Sequence, residues 1–315
     1  MKNIKKNKER ISWRDSGTMI LAKFDHLLWR IPRQAVAHEQ SRVIETPNCS
    51  IRVRDTGGSN QALIFLCDPP VTVEAYDELI ACFQPQYRVI VIELPAFGLS
   101  RISNASALTF EGALQETEEV IKSMNLDSCI LFGPCICGFL AAELVDRTML
   151  PIKGLVLMQT PSKEDMVSWV KRVDPKGLLR VPLIGQLLVR LTARRMARYW
   201  IRYASAKNFD STNLVKVSDH VLARGGGYPL SSMLQLWSKG TKNSNLNVPA
   251  LSIWGKQDRS HKETASASTC KHVPNAEVIE FSNCGHFTEL EQPKQFANAV
   301  VPFIREHLKS GLDYQ

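Results

Sequence analysis

The segment LFGPCICGFLAAELV, residues 131–145, places a thiol where chemistry is easiest to build. Cys135 falls between an apolar run that ends at Gly133 and a helical pattern that starts near Cys137. A sharp strand-to-helix turn lifts the residue at its tip above a sheet, and it needs small neighbours so that strand and helix can pack closely. Gly133 and Gly138 meet that need. A free thiol has a pKa of about 8.5, and a helix N-terminus with a nearby imidazolium lowers it, so the setting suits a nucleophilic thiolate. The remaining cysteines form no CxxC pair and no Cys/His array at zinc spacing, and Cys135 and Cys137 are too close for either. Most of the eight thiols are expected to be buried small apolar groups. His26, His38, His220, His261, His272 and His307 show no partner pattern and are expected at the surface.

A turn of this kind needs a sheet beneath it. Short β-branched runs at 41–46, 50–55, 62–67, 88–93, 128–133, 153–159, 249–254 and 277–281 predict eight strands. Helical patterns at 73–84, 109–124, 137–147 and 293–309 lie between several of them. Near-continuous apolar strands alternating with helices predict an α/β fold: a mostly parallel twisted sheet of about eight strands, with helices on both faces. The short turn Asp55-Thr56-Gly57-Gly58 suggests an antiparallel start. The alternation stops from Pro161 to Pro249, where helices are expected at 178–191, 192–206, 212–223 and 228–239, with a break at Gly225-Gly226-Gly227. The organisation is thus an N-terminal extension over 1–40, a core over 41–161 and 250–315, and a helical insertion over 162–249.

Gly133-Pro134-Cys135-Ile136-Cys137-Gly138 resembles the Gly-x-Ser-x-Gly turn of the α/β-hydrolase superfamily, with Cys135 in the nucleophile place and Cys137 in place of the second glycine. LSIWGKQDRS (251–260) resembles the family's strand and loop carrying the triad acid, which gives that role to Asp258. NCGHFTELEQP (283–293) resembles its Gly-His loop, which gives His286 as the base. YRVIVIELPAFGLS (87–100) resembles the strand and loop before the turn, with Glu93 and Ala96 where Asp and Gly are commoner. The order nucleophile, acid, base is that of the family. The resemblance covers 41–161 and 249–309, and the insertion stands where the family carries its lid. It implies a hydrolase or acyltransferase acting on an ester or thioester through a Cys-His-Asp triad and a covalent acyl-enzyme.

One loop departs from the pattern. The family's His-Gly-x-Pro loop supplies an oxyanion-hole N–H from x, beside the N–H after the nucleophile, here that of Ile136. The matching residues are Cys67-Asp68-Pro69-Pro70, so Pro69 stands at x without an N–H, and Asp68 replaces the glycine. Loss of one oxyanion donor costs about 10²–10³ in rate. Either a neighbouring N–H such as that of Val71 substitutes, or the site runs lyase or cyclase chemistry with Asp68 and His286 as acid and base, or the pocket binds without turnover. A simple N-cap role for Asp68 is the plainest alternative. Cys67, Pro134, Leu183 and Leu187 are the expected substrate-lining residues.

The net charge of +8 is concentrated in two segments. Residues 1–40 carry nine Lys/Arg against four Asp/Glu, and residues 162–249 carry fifteen against five. Such segments suit an acidic carrier protein, a coenzyme A or other phosphorylated thioester, or an anionic membrane. No nucleic-acid motif accompanies the charge. In 178–202 apolar residues face one side and Arg190, Arg194, Arg195, Arg198 and Arg202 another, as in a lid with a basic rim. Residues 17–30 form an amphipathic helix expected to pack on the domain, with a membrane surface as the alternative. The longest uncharged run, Ser128–Ala142, is too short to span a bilayer, and no secretory apolar core is present, so a cytoplasmic location is expected. Neither Gly-x-Gly-x-x-Gly nor a phosphate-binding loop occurs, and no cofactor or metal is expected.

Overall fold

The computed structural model of the chain describes residues 13–28, 40–58, 61–84, 86–224, 226, 228–237 and 246–308. The expected features at residues 1–12, at Gly225 and Gly227, and at 238–239 lie outside them, as does His38. After helix α1 (Trp13–Leu28) come strands β1 (Ser41–Glu45), β2 (Cys49–Asp55) and β3 (Ala62–Leu66). Helix α2 (Asp77–Phe83), β4 (Arg88–Ile92), β5 (Arg101–Ile102) and α3 (Phe110–Ser123) follow. The centre of the chain is β6 (Cys129–Pro134), α4 (Cys137–Arg147) and β7 (Ile152–Met158).

The strands form one sheet in the order β1-β2-β4-β3-β6-β7, continuing with β8 (Ala250–Gly255) and β9 (Ala276–Phe281), while β5 pairs with β2. Pairings made by β2 are antiparallel, and those from β4 onward are parallel. All eight expected strands are present. The two-residue β5 is additional, and it is too short to carry a periodic signal.

Period-two alternation divides the strands between two apolar layers. Ile64, Leu66, Cys129 and Leu131 face one layer, which includes Ala113 and Ile121 of α3 and Leu140 of α4. Leu63, Phe65, Ile130 and Phe132 face the other, which holds Leu79 and Ile80 of α2. That second layer is closed by Phe296, Val300 and Ile304 of the last helix, Pro293–His307. Phe65 stacks on Phe132 with ring centroids 4.0 Å apart. The sheet is therefore covered on both faces, and its parallel pairing sets the C-terminal ends of β3, β4 and β6 to β9 along one edge.

Between β7 and β8 the chain is helical: α5 (Lys163–Val173), a 3-10 turn (Leu178–Arg180), α6 (Ile184–Ala204), α7 (Thr212–Leu222) and α8 (Tyr228–Leu236). The sequence pattern differs here in two ways. The expected helices 178–191 and 192–206 are one helix, α6, which starts after Pro182 and contains no breaker to divide it. Helix α5 was not expected, although Ser162 caps it by accepting from Asp165 N–H. Helix α1 packs against α6 and α8, with Thr18 and Ala22 buried and Thr18 Oγ1 donating to Gln235 Oε1 at 2.9 Å. No helix among the described residues is long and apolar enough to cross a membrane.

Candidate active site

Cys135 occupies the turn between β6 and α4 with φ +43°. A residue with a side chain rarely adopts that backbone region, which costs about 1–3 kcal/mol and persists only where the surroundings fix it. They do so here. Cys135 N–H donates to Met158 O at 2.7 Å, and its carbonyl accepts from Thr160 Oγ1 at 3.1 Å. The small neighbours are required: a Cβ on Gly138 would lie 2.2 Å from Thr160 Oγ1, and one on Gly133 would lie 2.6 Å from Ala141 Cβ. Ala96, which stands where the family has glycine, also has a positive φ of 67°.

His286 lies in the loop after β9 and Asp258 in the loop after β8, so parallel strands bring both to the same sheet edge as Cys135. His286 Nδ1 is 2.6 Å from Asp258 Oδ2. Asp258 is held in turn by Gln159 Nε2 at 3.0 Å, Ser260 N at 2.8 Å and Ser260 Oγ at 2.6 Å. On the other side of the ring, Nε2 is 3.2 Å from Asp68 Oδ2. The Asp68 carboxylate, the Cys135 thiol and a His286 ring nitrogen all lie within 4.8 Å of one another. All four side chains are buried.

The protonation pattern follows from that crowding. Burial opposes charge on His286, but Asp258, Cys135 and the bonds to Asp258 and Asp68 hold the imidazole well above its usual value. Burial likewise opposes charge on Asp258, and the facing imidazole together with the Ser260 bond keeps the carboxyl below its usual range. The Cys135 thiol is raised, first by burial and further by Asp68, while His286 pulls in the opposite direction.

Of the expected oxyanion donors, Ile136 N–H follows Cys135 and makes no backbone hydrogen bond within the described residues. Pro69 is buried and offers no N–H. The Val71 N–H is already used, donating to Asp68 O at 2.8 Å. Asp68 caps no helix; the turn that follows starts after Thr72. Cys67 and Pro134 are buried beside the site, and Cys67 O accepts from Cys137 Sγ at 3.3 Å. Leu183 and Leu187 lie on the outside, 56% and 57% exposed.

A cavity of about 290 Å³ opens beside Ile136. Its walls are Phe139 of α4, Met166, Val167 and Val170 of α5, and Met233, Leu234 and Trp237 from α8 and its end, with Lys163 and Arg180 at its border. Leu183 and Leu187 are not among the lining residues; the cavity is built by α5 and α8.

Two histidines expected at the surface are buried. His261 is 2% exposed and stacks on His286 with ring centroids 5.5 Å apart, and His272 is 0% exposed beside Phe139. Neither ring nitrogen of either finds a hydrogen-bond partner among the described residues. Trp254 before the Asp258 loop and Trp169 of α5, both in contact with the His261 ring, were the available signals. Among the described residues, Asp68, Cys135 and His286, and separately Asp258, His261 and His286, are donor sets that could hold a cation.

The His286 loop is fastened to the insertion. His286 N–H donates to Ala204 O at 3.0 Å, and Trp200 of α6 packs edge-on to the imidazole at 5.0 Å. Glu291 Oε2 accepts from both Ala206 N at 2.9 Å and Gly285 N at 2.8 Å.

The α/β-hydrolase fold family model matches residues 70–293. Monoacylglycerol lipase ABHD6 of Bos taurus is 34% identical over 225 residues, 69% of this chain and 67% of that protein. The 2-hydroxy-6-oxononadienedioate/2-hydroxy-6-oxononatrienedioate hydrolase 1 of Dechloromonas aromatica is 33% identical over 229 residues, covering 69% and 76%. Among solved structures, the epoxide hydrolase CorEH superposes with a TM-score of 0.70 at 14% identity, covering 84% of this chain and 98% of that one. With nine strands in the order described, a residue of positive φ at the β6–α4 turn and a match across most of its length, the chain belongs to the α/β-hydrolase fold family.

Proposed function

We propose that this protein is a hydrolase or acyltransferase that opens an ester or thioester through Cys135. The observation that carries the reading is the backbone of Cys135, held at φ +43° at the tip of the turn and beside an imidazole that Asp258 grips at 2.6 Å. Cys135 Sγ attacks the carbonyl carbon, and its proton passes to His286. The tetrahedral oxyanion is met by Ile136 N–H. Collapse expels the leaving group, protonated by His286, and leaves an acyl-enzyme on Cys135 that water or another acceptor then cleaves. The acyl chain would occupy the apolar cavity beside Ile136, roofed by α5 and α8 as a lid.

A second reading rests on Asp68. With a carboxylate on Nε2, the pair Asp68–His286 could move protons without a covalent intermediate, as a lyase or cyclase would. Intact-protein mass spectrometry after brief exposure to activated acyl esters and thioesters separates the two. A single adduct on Cys135 that disappears in His286→Ala supports the covalent route. Absence of any adduct, together with activity that survives Cys135→Ala and is lost in Asp68→Asn, overturns it in favour of the second.

A further inference from the structure

Exposed apolar side chains are distributed unevenly over this molecule. Among the described residues fifteen large apolar side chains are exposed, and thirteen of them belong to α1 or to the insertion. On α6, Ile184, Leu187 and Leu191 recur at the spacing of one helix face and are 49%, 57% and 73% exposed. The buried face of the same helix is made by Val189, Ala193 and Ala197. On α1, Ile20, Phe24 and Leu27 repeat the pattern, 63%, 54% and 57% exposed, while Thr18 and Ala22 face the protein. The two helices touch.

Basic residues surround this apolar face. The outward side of α6 continues from Leu191 into Arg194, Arg195 and Arg198, all exposed. Asp219 pairs with Arg194 and Arg198, but residues 162–249 still hold fifteen Lys/Arg against five Asp/Glu. An apolar helix face bordered by cations has its complement in a bilayer with anionic headgroups, where the apolar side chains enter the acyl boundary and the cations meet phosphate.

We propose that α1 and the N-terminal half of α6 form a docking surface for an anionic lipid bilayer, on which the protein lies without spanning it. Docking requires no catalysis, so it is tested by binding alone.

The test is co-sedimentation of the full chain with vesicles of phosphatidylcholine, or of phosphatidylcholine mixed with phosphatidylglycerol, at low and high salt. Wild type is expected to sediment with the mixed vesicles, less so with phosphatidylcholine alone, and to be released by salt. The double variant Ile184→Glu/Leu191→Glu is expected to partition about tenfold or more weakly at an unchanged melting temperature. If that variant does not fold, Phe24→Glu on α1 is read in the same assay and is expected to weaken binding. Wild type that stays in the supernatant with both vesicles overturns the proposal, as does a folded variant that sediments like wild type. So does light scattering that shows a dimer without lipid which Ile184→Glu/Leu191→Glu splits, because the face then belongs to a second copy of the chain.

Discussion

The carboxylate of Asp68 lies 3.2 Å from Nε2 of His286, the nitrogen that would receive the proton of Cys135 in the proposed acyl transfer. One imidazole is thus held between two carboxylates, and the thiol shares its second nitrogen with a group of the same charge sign as a thiolate. Asp68 favours the imidazolium of His286, and its like charge adds to the burial that raises the Cys135 thiol.

Removing that carboxylate has a signed consequence. Asp68→Asn deletes a charge that raises Cys135, so the thiol should ionise at lower pH. Alkylation of Cys135 by a small haloacetamide at pH 8, followed by peptide mass spectrometry, is expected to accelerate. The pH profile of alkylation should shift toward acid. An unchanged profile would mean that Asp68 does not govern the thiol.

Gly138→Ala tests the turn. The new Cβ would fall 2.2 Å from Thr160 Oγ1, whose hydroxyl bonds Cys135 O at 3.1 Å. The expected cost is about 1–3 kcal/mol in urea unfolding, with slower alkylation of Cys135 as the turn shifts.

Glu93→Ala tests the support beneath the site. Glu93 Oε1 pairs with Arg52 Nη1 at 3.1 Å, both residues are 1% exposed, and Glu93 Oε2 accepts from Leu99 N–H at 2.6 Å. Burial first raises the Glu93 carboxyl to about 7 while Arg52 lowers it. Its removal leaves Arg52 with only the half-exposed Glu74, and a loss of about 3 kcal/mol is expected in chemical unfolding.

Burial lowers His272 from 6.5 to about 4. The unfolded chain therefore binds a proton near 6.5 that the folded chain refuses until about 4, so this contribution to stability is complete above pH 6.5 and is lost as pH falls toward 4. From pH 7 to pH 5 it amounts to about 2 kcal/mol. Glu93 and Glu289, raised by burial to about 7 and about 8, act in the opposite sense as pH rises. Comparison of wild type with His272→Leu at both pH values isolates the histidine, and the variant should lose less stability on acidification.

The strands were legible because runs such as Leu63–Leu66 and Ile130–Phe132 are buried on both faces of the sheet and read as unbroken apolar sequence. The turn was legible because Gly133 and Gly138 have no tolerance for a Cβ. The pairing of Asp68 with His286 is legible only as one alternative among several, since register places a residue in a loop but does not aim its side chain. The burial of His261 and His272 is hidden for a related reason: a histidine without a polar partner reads as exposed, whereas these two are enclosed by Trp169, Trp254 and Phe139. Leu183 and Leu187 read as lining because half of α6 is apolar, but its narrow buried face is made by Val189, Ala193 and Ala197.

Glu291 bonds the end of α6 and the start of the His286 loop with one oxygen, and a Cβ on Gly285 would lie 2.4 Å from Ala204 O. That end of the 21-residue helix is therefore tied to the loop that carries the imidazole, while its first turn is tied to α8 by Gln186 Nε2, which donates to Gln235 Oε1 at 2.9 Å. The helix is a strut between the His286 loop and the wall of the cavity, so a substitution that loosens either tie touches both.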